Sequence, residues 1–270
     1  MKTLFACLLV AAVATFTAAA QPWAKERLEK SPRHGEWVKV KHGDREVNCF
    51  ITYPEAKEKA TAVVVIHEIF GLSDWVRGVT DQLAEAGYIA IAPDLLSGLG
   101  PNKGGTADLG GDDGARRVIG NLPPDQITAD LDAVVDYVAK LPACNGKVAV
   151  GGFCWGGGQT FRYATNHKNL KGAFSFYGPV QTDAAALERI QCPVYGFYAE
   201  NDNRITGSVP SAAEAMKKAG KTYEPEIYKG AGHGFMRDGE DPTSKQPNHE
   251  ANVKAREDAW KRWKDLLKKI

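Results

Sequence analysis

The sequence predicts an α/β protein whose central sheet is mostly parallel and is flanked by helices. Short apolar runs rich in β-branched residues recur along the chain, and segments with apolar residues at helical spacing lie between them. No internal repeat and no linker divides the chain. The 270 residues, 43% hydrophobic and 25% charged, suit one large domain with a buried core.

The first twenty residues have the pattern of a secretory signal peptide. Lys2 precedes an apolar run over residues 4–20, and the run ends in three alanines before Gln21. A positive start, an apolar stretch and a small-residue site are typical of a cleaved leader. A membrane anchor is the alternative, although about 17 apolar residues are barely enough to span a bilayer. We expect cleavage after Ala20, an exported protein and no membrane span in the mature chain.

After this leader, residues 21–35 predict a charged N-terminal lead with a short helix or tail, and residues 36–270 predict the folded domain. The segment 96–124, rich in Gly, Asp and Pro, predicts a long loop. Strands are predicted at 36–41, 45–52, 62–66, 89–92, 148–153, 171–176, 193–199 and 222–228. Helices are predicted after Ser73, at 129–141, 159–165, 184–190 and 211–219, and at 250–270.

One stretch carries the strongest chemical signal. The apolar run from Val148 leads into Gly152-Phe153-Cys154-Trp155-Gly156, and a helix is predicted after it. This is the nucleophile-elbow pattern, with cysteine where serine more often stands. The glycines fit because such a tight turn leaves no room for Cβ atoms, and the helix start would favour a thiolate. A phosphate-binding turn lacks its motif here, and a buried inert cysteine is the other alternative.

A nucleophilic cysteine needs a base and a group that orients the base. Asp202 follows the predicted strand 193–199, and His233 follows the last predicted strand in a loop flanked by glycines. Both positions lie past the C-terminal ends of strands, in the chain order of the α/β-hydrolase fold. Glu200 is an alternative orienting group, and a turn-forming role is an alternative for Asp202.

The net charge and the cysteine content bear on nucleic-acid binding, metal binding and disulfide formation. The net charge of +1, without a basic stripe, gives no reason to expect a nucleic-acid partner. No Cys/His spacing of a zinc site is present, so we expect no metal site. With Cys7 removed in the leader, Cys49, Cys144 and Cys192 accompany Cys154. Because Cys144 and Cys192 each precede a predicted strand, they are the candidate disulfide pair in an oxidising compartment.

Three motifs together resemble the dienelactone hydrolase (carboxymethylenebutenolidase) family of the α/β-hydrolase superfamily. They are the stretch around Cys154, His67-Glu68-Ile69-Phe70-Gly71-Leu72, and His233-Gly234-Phe235 followed by Arg237. The similarity covers residues 36–270. It implies a single-domain α/β-hydrolase fold and an enzyme that opens small ester or lactone bonds without a cofactor.

The resemblance also implies roles for individual residues. Cys154 would be the nucleophile, His233 the base and Asp202 the group that orients it. Glu68 matches the family glutamate that interacts with the resting thiol and helps to control its ionisation; capping of the next helix is the alternative. The backbone N–H groups of two further residues, Ile69 and Trp155, would form the oxyanion hole.

Substrate recognition in the family uses arginines that bind a carboxylate, which implies an anionic substrate. Arg237 matches one of them, and Arg116 or Arg117 would supply the second. Gly234 after the histidine, the bulky Trp155 and the glycine-rich segment 96–124 depart from the family pattern and leave the natural substrate open. A thioester or other acyl substrate, or a non-catalytic binding protein with this fold, are the alternatives.

Overall fold

The computed structural model describes residues 21–270; the predicted leader, residues 1–20, lies outside the described residues. One sheet of eight strands in the order β1-β2-β4-β3-β5-β6-β7-β8 runs through these residues. The strands are β1 (Gly35–His42), β2 (Arg45–Thr52), β3 (Ala60–Ile66), β4 (Ile89–Pro93), β5 (Cys144–Phe153), β6 (Ala173–Phe176), β7 (Val194–Ala199) and β8 (Tyr223–Tyr228).

The strand directions confirm the mostly parallel sheet. Strand β2 pairs antiparallel with β1 and with β4, and every other neighbouring pair is parallel. Strand β3 is buried along its whole length, with Val64 and Ile66 packed in one core cluster and Val63 and Val65 in the other. A central strand covered on both faces therefore has a continuous apolar sequence instead of an alternating one.

Helices cover both faces of the sheet. Those of residues 21–270 are α1 (Pro22–Glu29), α2 (Asp74–Glu85), α3 (Asp112–Ile119), α4 (Pro124–Ala139), α5 (Trp155–Ala164), α6 (Ala184–Leu187), α7 (Asn203–Thr206), α8 (Val209–Lys218), α9 (Phe235–Asp238) and α10 (His249–Leu267). Helices α3, α4, α5 and α8 pack on one face, and α1, α2 and α10 pack on the other. Within residues 21–270, no helix combines the length and apolar character needed to cross a bilayer.

The predicted long loop at 96–124 is wrong in part, because it contains α3 and two single 3₁₀ turns, Pro101–Lys103 and Thr106–Asp108. Helix α3 buries only Ala115 and Ile119 in the core, so its apolar periodicity is too short to be recognised. Gly114 weakens the helical signal further, because glycine is a poor helix former. Packing requires a glycine at this position, since a Cβ there would lie 1.7 Å from the Leu109 carbonyl oxygen. The preceding segment is bound to the sheet, since Thr106 Oγ1 donates to Asp94 Oδ1 at 2.7 Å.

The candidate disulfide between Cys144 and Cys192 is also wrong: Cys49, Cys144, Cys154 and Cys192 are free thiols. Cys144 begins β5 and Cys192 lies just before β7, and β6 separates these two strands in the sheet. Two strand spacings are about 10 Å. A disulfide needs Cα atoms within about 7 Å. Burial also raises the pKa of Cys192 to about 11, which keeps it a neutral thiol.

One buried carboxylate joins the two ends of the described chain. The Glu240 side chain is 6% exposed, accepts a hydrogen bond from Arg27 Nη1 of α1 at 2.5 Å, and forms an ion pair with Arg256 Nη2 of α10 at 3.0 Å. Trp75 Nε1 and Gln82 Nε2 of α2 each donate to it at 3.1 Å. Of the short helix or tail predicted in the N-terminal lead, the structure has the helix, α1, and Glu240 bonds it to the body of the domain.

Candidate active site

Cys154 lies between β5 and α5 in a strained backbone conformation, with φ 55° and ψ −117°. The glycines on either side of it are required by close packing. A Cβ on Gly152 would lie 2.3 Å from the Gly156 carbonyl oxygen, and a Cβ on Gly156 would lie 2.4 Å from the carbonyl oxygen of His67. The turn thus brings the start of α5 against the end of β3 and keeps Cys154 partly exposed above the sheet.

The imidazole of His233 lies between the thiol and a carboxylate. Its Nε2 is 3.1 Å from Cys154 Sγ, and its Nδ1–H donates to Asp202 Oδ2 at 2.5 Å. Asp202 is 7% exposed, in the turn after β7, whereas His233 is in the loop after β8. The alternative partner, Glu200, accepts a hydrogen bond from the backbone N–H of Gly230 instead. The structure therefore brings together the cysteine, histidine and aspartate that the sequence analysis selected.

The electrostatics of this group centre on the imidazole. Burial lowers the pKa of His233, but hydrogen bonds to Asp202 and Cys154 and the charges of these two groups outweigh burial and raise it to about 9. The arrangement favours a protonated ring with an acidic partner on each side. A thiol, an imidazole and a carboxylate in this order are able to transfer the thiol proton to the ring and to hold the imidazolium that results.

A fully buried histidine, His67, lies beside Trp155, the residue that follows Cys154. The Leu95 N–H donates to His67 Nε2 at 3.3 Å, so Nδ1 carries the proton and donates to the Glu68 carbonyl oxygen at 2.8 Å. Burial lowers the pKa of His67 below its usual range, which keeps the ring neutral. The ring also stacks on the indole of Trp155, with centroids 5.5 Å apart. His67 thereby contacts both segments that carry the candidate oxyanion donors, Ile69 and Trp155.

Glu68 is almost fully buried, and its carboxylate is paired with an arginine. Arg237 Nε donates to Glu68 Oε2 at 2.8 Å, and the Glu68 charge raises the pKa of Arg237 above its usual range. The structure thus places Glu68 against Arg237, while the hydrogen-bond partner of Cys154 Sγ is His233. The Glu68–Arg237 contact and the Cys154–His233 contact involve one short segment, because Arg237 lies four residues after His233.

A second arginine, Arg116, stacks on the same aromatic ring as Arg237, that of Phe70. The guanidinium carbon of Arg237 is 5.2 Å from the Phe70 ring centroid, and that of Arg116 is 4.7 Å from it. Arg117 is exposed on α3 and is not part of this stack. Of the two arginines that the sequence left open, Arg116 is the one that the structure brings to Arg237. Phe70 was visible in the sequence only as one letter of a motif.

Tyr177 is a residue of this region that motif analysis did not select. It follows β6 with a φ of 39°, is fully buried, and its ring makes a T-shaped contact with the His233 ring, with centroids 5.2 Å apart. Its hydroxyl has no hydrogen-bond partner among residues 21–270. Burial, followed by the charge of Glu68, holds the pKa of Tyr177 well above its usual range. Nothing in a Tyr-Gly-Pro turn indicates this contact in advance.

Residues 21–270 contain no group of three or more His, Cys, Asp and Glu side chains arranged to hold a metal ion.

Comparison with known proteins gives one consistent result. Residues 47–270 match the family model described as the dienelactone hydrolase family. A protein of Saccharolobus solfataricus, provisionally assigned as a carboxymethylenebutenolidase, is 30% identical over 257 residues, covering 83% of this chain and 94% of its own. A protein of Salmonella typhimurium with the same provisional assignment is 32% identical over 230 residues, covering 79% of each chain.

The fold has a close counterpart among solved structures. A crystal structure from Klebsiella pneumoniae, provisionally assigned as a dienelactone hydrolase, superposes with a TM-score of 0.75. It is 24% identical in sequence, and the match covers 88% of this chain and 99% of that one. This likeness confirms the predicted single-domain α/β-hydrolase fold.

Proposed function

Because the chain belongs to the dienelactone hydrolase family, we propose that it hydrolyses a small anionic ester or lactone through an acyl-enzyme formed on Cys154. One observation carries the proposal. The His233 ring joins Cys154 Sγ at 3.1 Å to Asp202 Oδ2 at 2.5 Å, a contact that supports the roles of nucleophile, base and orienting group proposed for these three residues.

In the first step, the proton shared between the thiol and His233 Nε2 is held on the ring, and Cys154 Sγ attacks the carbonyl carbon of the substrate. The carbonyl electron pair moves onto the oxygen, and the N–H groups of Ile69 and Trp155 donate hydrogen bonds to this oxyanion. When the tetrahedral intermediate collapses, the ester C–O bond breaks and the imidazolium returns its proton to the leaving oxygen. In a lactone, that oxygen stays attached to the acyl chain.

In the second step, water resolves the acyl-enzyme. His233 Nε2 removes a proton from water as the water oxygen attacks the thioester carbon. The same N–H groups bind the second oxyanion. The C–S bond then breaks, the proton returns to sulfur, and the acid product leaves with the thiol restored. Asp202 keeps the ring in the orientation and protonation state that both steps require.

Replacement of the nucleophile tests the proposal. Cys154→Ala is expected to lower kcat/KM for p-nitrophenyl acetate and for dienelactone by about 10⁴-fold, because no other group replaces the sulfur. Cys192→Ala, which removes a buried thiol outside the site, is the matched control and is expected to keep full activity. Turnover that survives in Cys154→Ala would contradict the covalent mechanism. A wild-type protein inactive on a panel of esters and lactones would contradict hydrolysis.

The anionic character of the substrate is supported by the two guanidinium groups stacked on Phe70. Arg116→Ala is expected to raise KM for an ester that carries a carboxylate by about 10-fold or more, since a charge-assisted hydrogen bond contributes about 1.5–3 kcal/mol. KM for an uncharged ester is expected to change little. Arg117→Ala, one position away and outside the stack, is the control. Equal effects of the two variants would contradict a carboxylate site at Phe70.

Glu68 is included in the proposal as the group that modulates the thiol. A substrate carboxylate that binds Arg237 competes with Glu68 for the same guanidinium, so binding changes the charge close to Cys154. A nearby carboxylate disfavours a thiolate. Glu68→Gln is therefore expected to speed alkylation of resting Cys154 by iodoacetamide at neutral pH; an unchanged rate would remove Glu68 from this role.

The pattern of residues 1–20 supports export as a further part of the proposal. Expression with the full sequence is expected to yield an extracytoplasmic protein whose N-terminal residue is Gln21. A membrane-bound product that retains residues 1–20 would support the anchor instead.

A further inference from the structure

The segment that follows β8 carries two of the candidate functional side chains. Residues 232–238, here called the 232–238 loop, include His233 near one end and Arg237 near the other. Gly234 has a φ of 78° and lets the chain turn between them, and α9 begins directly after it. The position of this loop therefore sets both the distance from imidazole to thiol and the place where a substrate carboxylate would be bound.

Asn252 of α10 forms hydrogen bonds with both ends of the 232–238 loop. The backbone N–H of Gly232 donates to Asn252 Oδ1 at 2.8 Å, and Asn252 Nδ2 donates to Asp238 Oδ2 at 2.6 Å. Asn252 is 2% exposed, so water does not compete for these bonds. One amide side chain thus bonds the residue before His233 and the residue after Arg237.

The packing around Asn252 leaves the loop little freedom. A Cβ on Gly239 would lie 2.4 Å from the Asn252 carbonyl oxygen, and a Cβ on Gly232 would lie 2.2 Å from Asn248 Nδ2. Both loop ends therefore lie directly against α10. Asp238 Oδ2 also accepts from His249 Nδ1 at 3.3 Å, which adds a second bond from the same helix.

We propose that Asn252 is a positioning residue that sets the register of His233 and Arg237 together, through its paired bonds to Gly232 and Asp238. The inference rests on the proposed function, because it assigns those two side chains to proton transfer and carboxylate binding. An amide is required, since one oxygen has to accept and one nitrogen has to donate at the same buried place. A carboxylate there would face the Asp238 carboxylate, and an apolar side chain would leave the Gly232 N–H without an acceptor.

The test is Asn252→Asp, which keeps the size of the side chain and removes the donor to Asp238. Because small displacements of catalytic groups lower rates strongly, kcat for a neutral aryl ester is expected to fall about 10-fold or more. For an ester that carries a carboxylate, KM is expected to rise as well, since Arg237 moves with the loop. A residue with a merely structural role would not produce this split between the two substrates.

A double variant supplies the rescue. Combining Asn252→Asp with Asp238→Asn restores one donor and one acceptor with the polarity reversed, and is expected to recover most of the lost kcat. Asp81→Asn is the stability control, because it perturbs a buried carboxylate bonded to Arg33 at the α1–α2 side of the molecule. It is expected to lower Tm while kcat and KM stay within twofold of wild type.

The outcomes separate this inference from the proposed function. Folded Asn252→Asp with kcat and KM within twofold of wild type, while Cys154→Ala is inactive, would overturn the role of Asn252 alone. Activity that survives in Cys154→Ala would instead overturn the proposed function. If Asn252→Asp does not fold, two other variants provide the same measurements of kcat and KM. They are the double variant and Asn252→Ser, whose side chain is too short to reach Asp238 and adds no charge.

Discussion

His233 is the residue whose protonation links the site to the stability of the fold. Its contacts with Asp202 and Cys154 raise its pKa to about 9, from an ordinary value of 6.5, in spite of burial. A histidine with a raised pKa in the folded state binds its proton more tightly there than in the unfolded chain. The resulting stabilisation is fully present below about pH 6.5 and is lost as the pH rises through about 9.

We therefore expect His233→Gln to remove a pH-dependent part of the free energy of unfolding. In urea titrations, the difference between wild type and variant should be largest at pH 6 and should shrink steadily up to pH 9.5. Because 33% of the His233 side chain is exposed, solvent screening reduces the size of the effect but not its sign. A difference that is constant across this range, or one that grows with pH, would contradict the raised pKa.

At the scale of elements, the junction of β3, β5 and α5 depends on a glycine. The carbonyl oxygens of Ile66 and His67 each lie 2.4 Å from where a Cβ on Gly156 would be. These are backbone atoms at the end of a buried strand, and they have no way to move aside without shifting β3. This close contact holds the first turn of α5 beside the segment that contains Glu68 and Ile69.

Gly156→Ala is expected to destabilise the protein by about 1–3 kcal/mol through overpacking. It is also expected to lower kcat by separating Ile69 from Trp155. Gly78→Ala is the matched control, because Gly78 is inside α2 and a Cβ there would meet no atom within 4 Å. Alanine in a helix interior is expected to raise stability by up to about 1 kcal/mol. Thermal unfolding and ester hydrolysis measure both; comparable results for the two glycines would contradict this account.

The same scale shows what the sequence allows one to predict. Strands such as β3 and helices such as α4 have long, unambiguous apolar patterns, and the close approach expected at Gly152 and Gly156 is confirmed. The sequence does not predict helix α3, because its two buried apolar side chains are too few to show a helical periodicity. The contacts of Asn252 and Tyr177 depend on which elements lie together in three dimensions, and a polar residue on a helix or in a turn carries no sign of them.

For the molecule as a whole, the sheet order decides the state of the thiols. Cys144 and Cys192 belong to segments separated by β6, and Cys49 is fully buried in β2. Among residues 21–270, none of these three cysteines is bonded to another cysteine, so we expect no disulfide between them even in an oxidising compartment. Cys154 differs because it is partly exposed and bonded to an imidazole.

We therefore expect the mature protein, purified without reductant, to contain four free thiols. Brief treatment of the native protein with iodoacetamide should add one carbamidomethyl group, on Cys154, and treatment in denaturant should add four. Intact mass measurement with peptide mapping counts both. Two alkylated cysteines in denaturant would mean that a disulfide has formed, and rapid native labelling of Cys49 would contradict its burial.

The Glu240 carboxylate couples segments that are far apart in the sequence. Arg27 of α1 and Arg256 of α10 both pair with this one group. Asn252, on the same helix as Arg256, bonds the loop that carries the imidazole. Contacts between such distant segments form late in folding, because closing a long loop costs chain entropy. We therefore expect the histidine to reach the thiol only after α10 has packed on the domain.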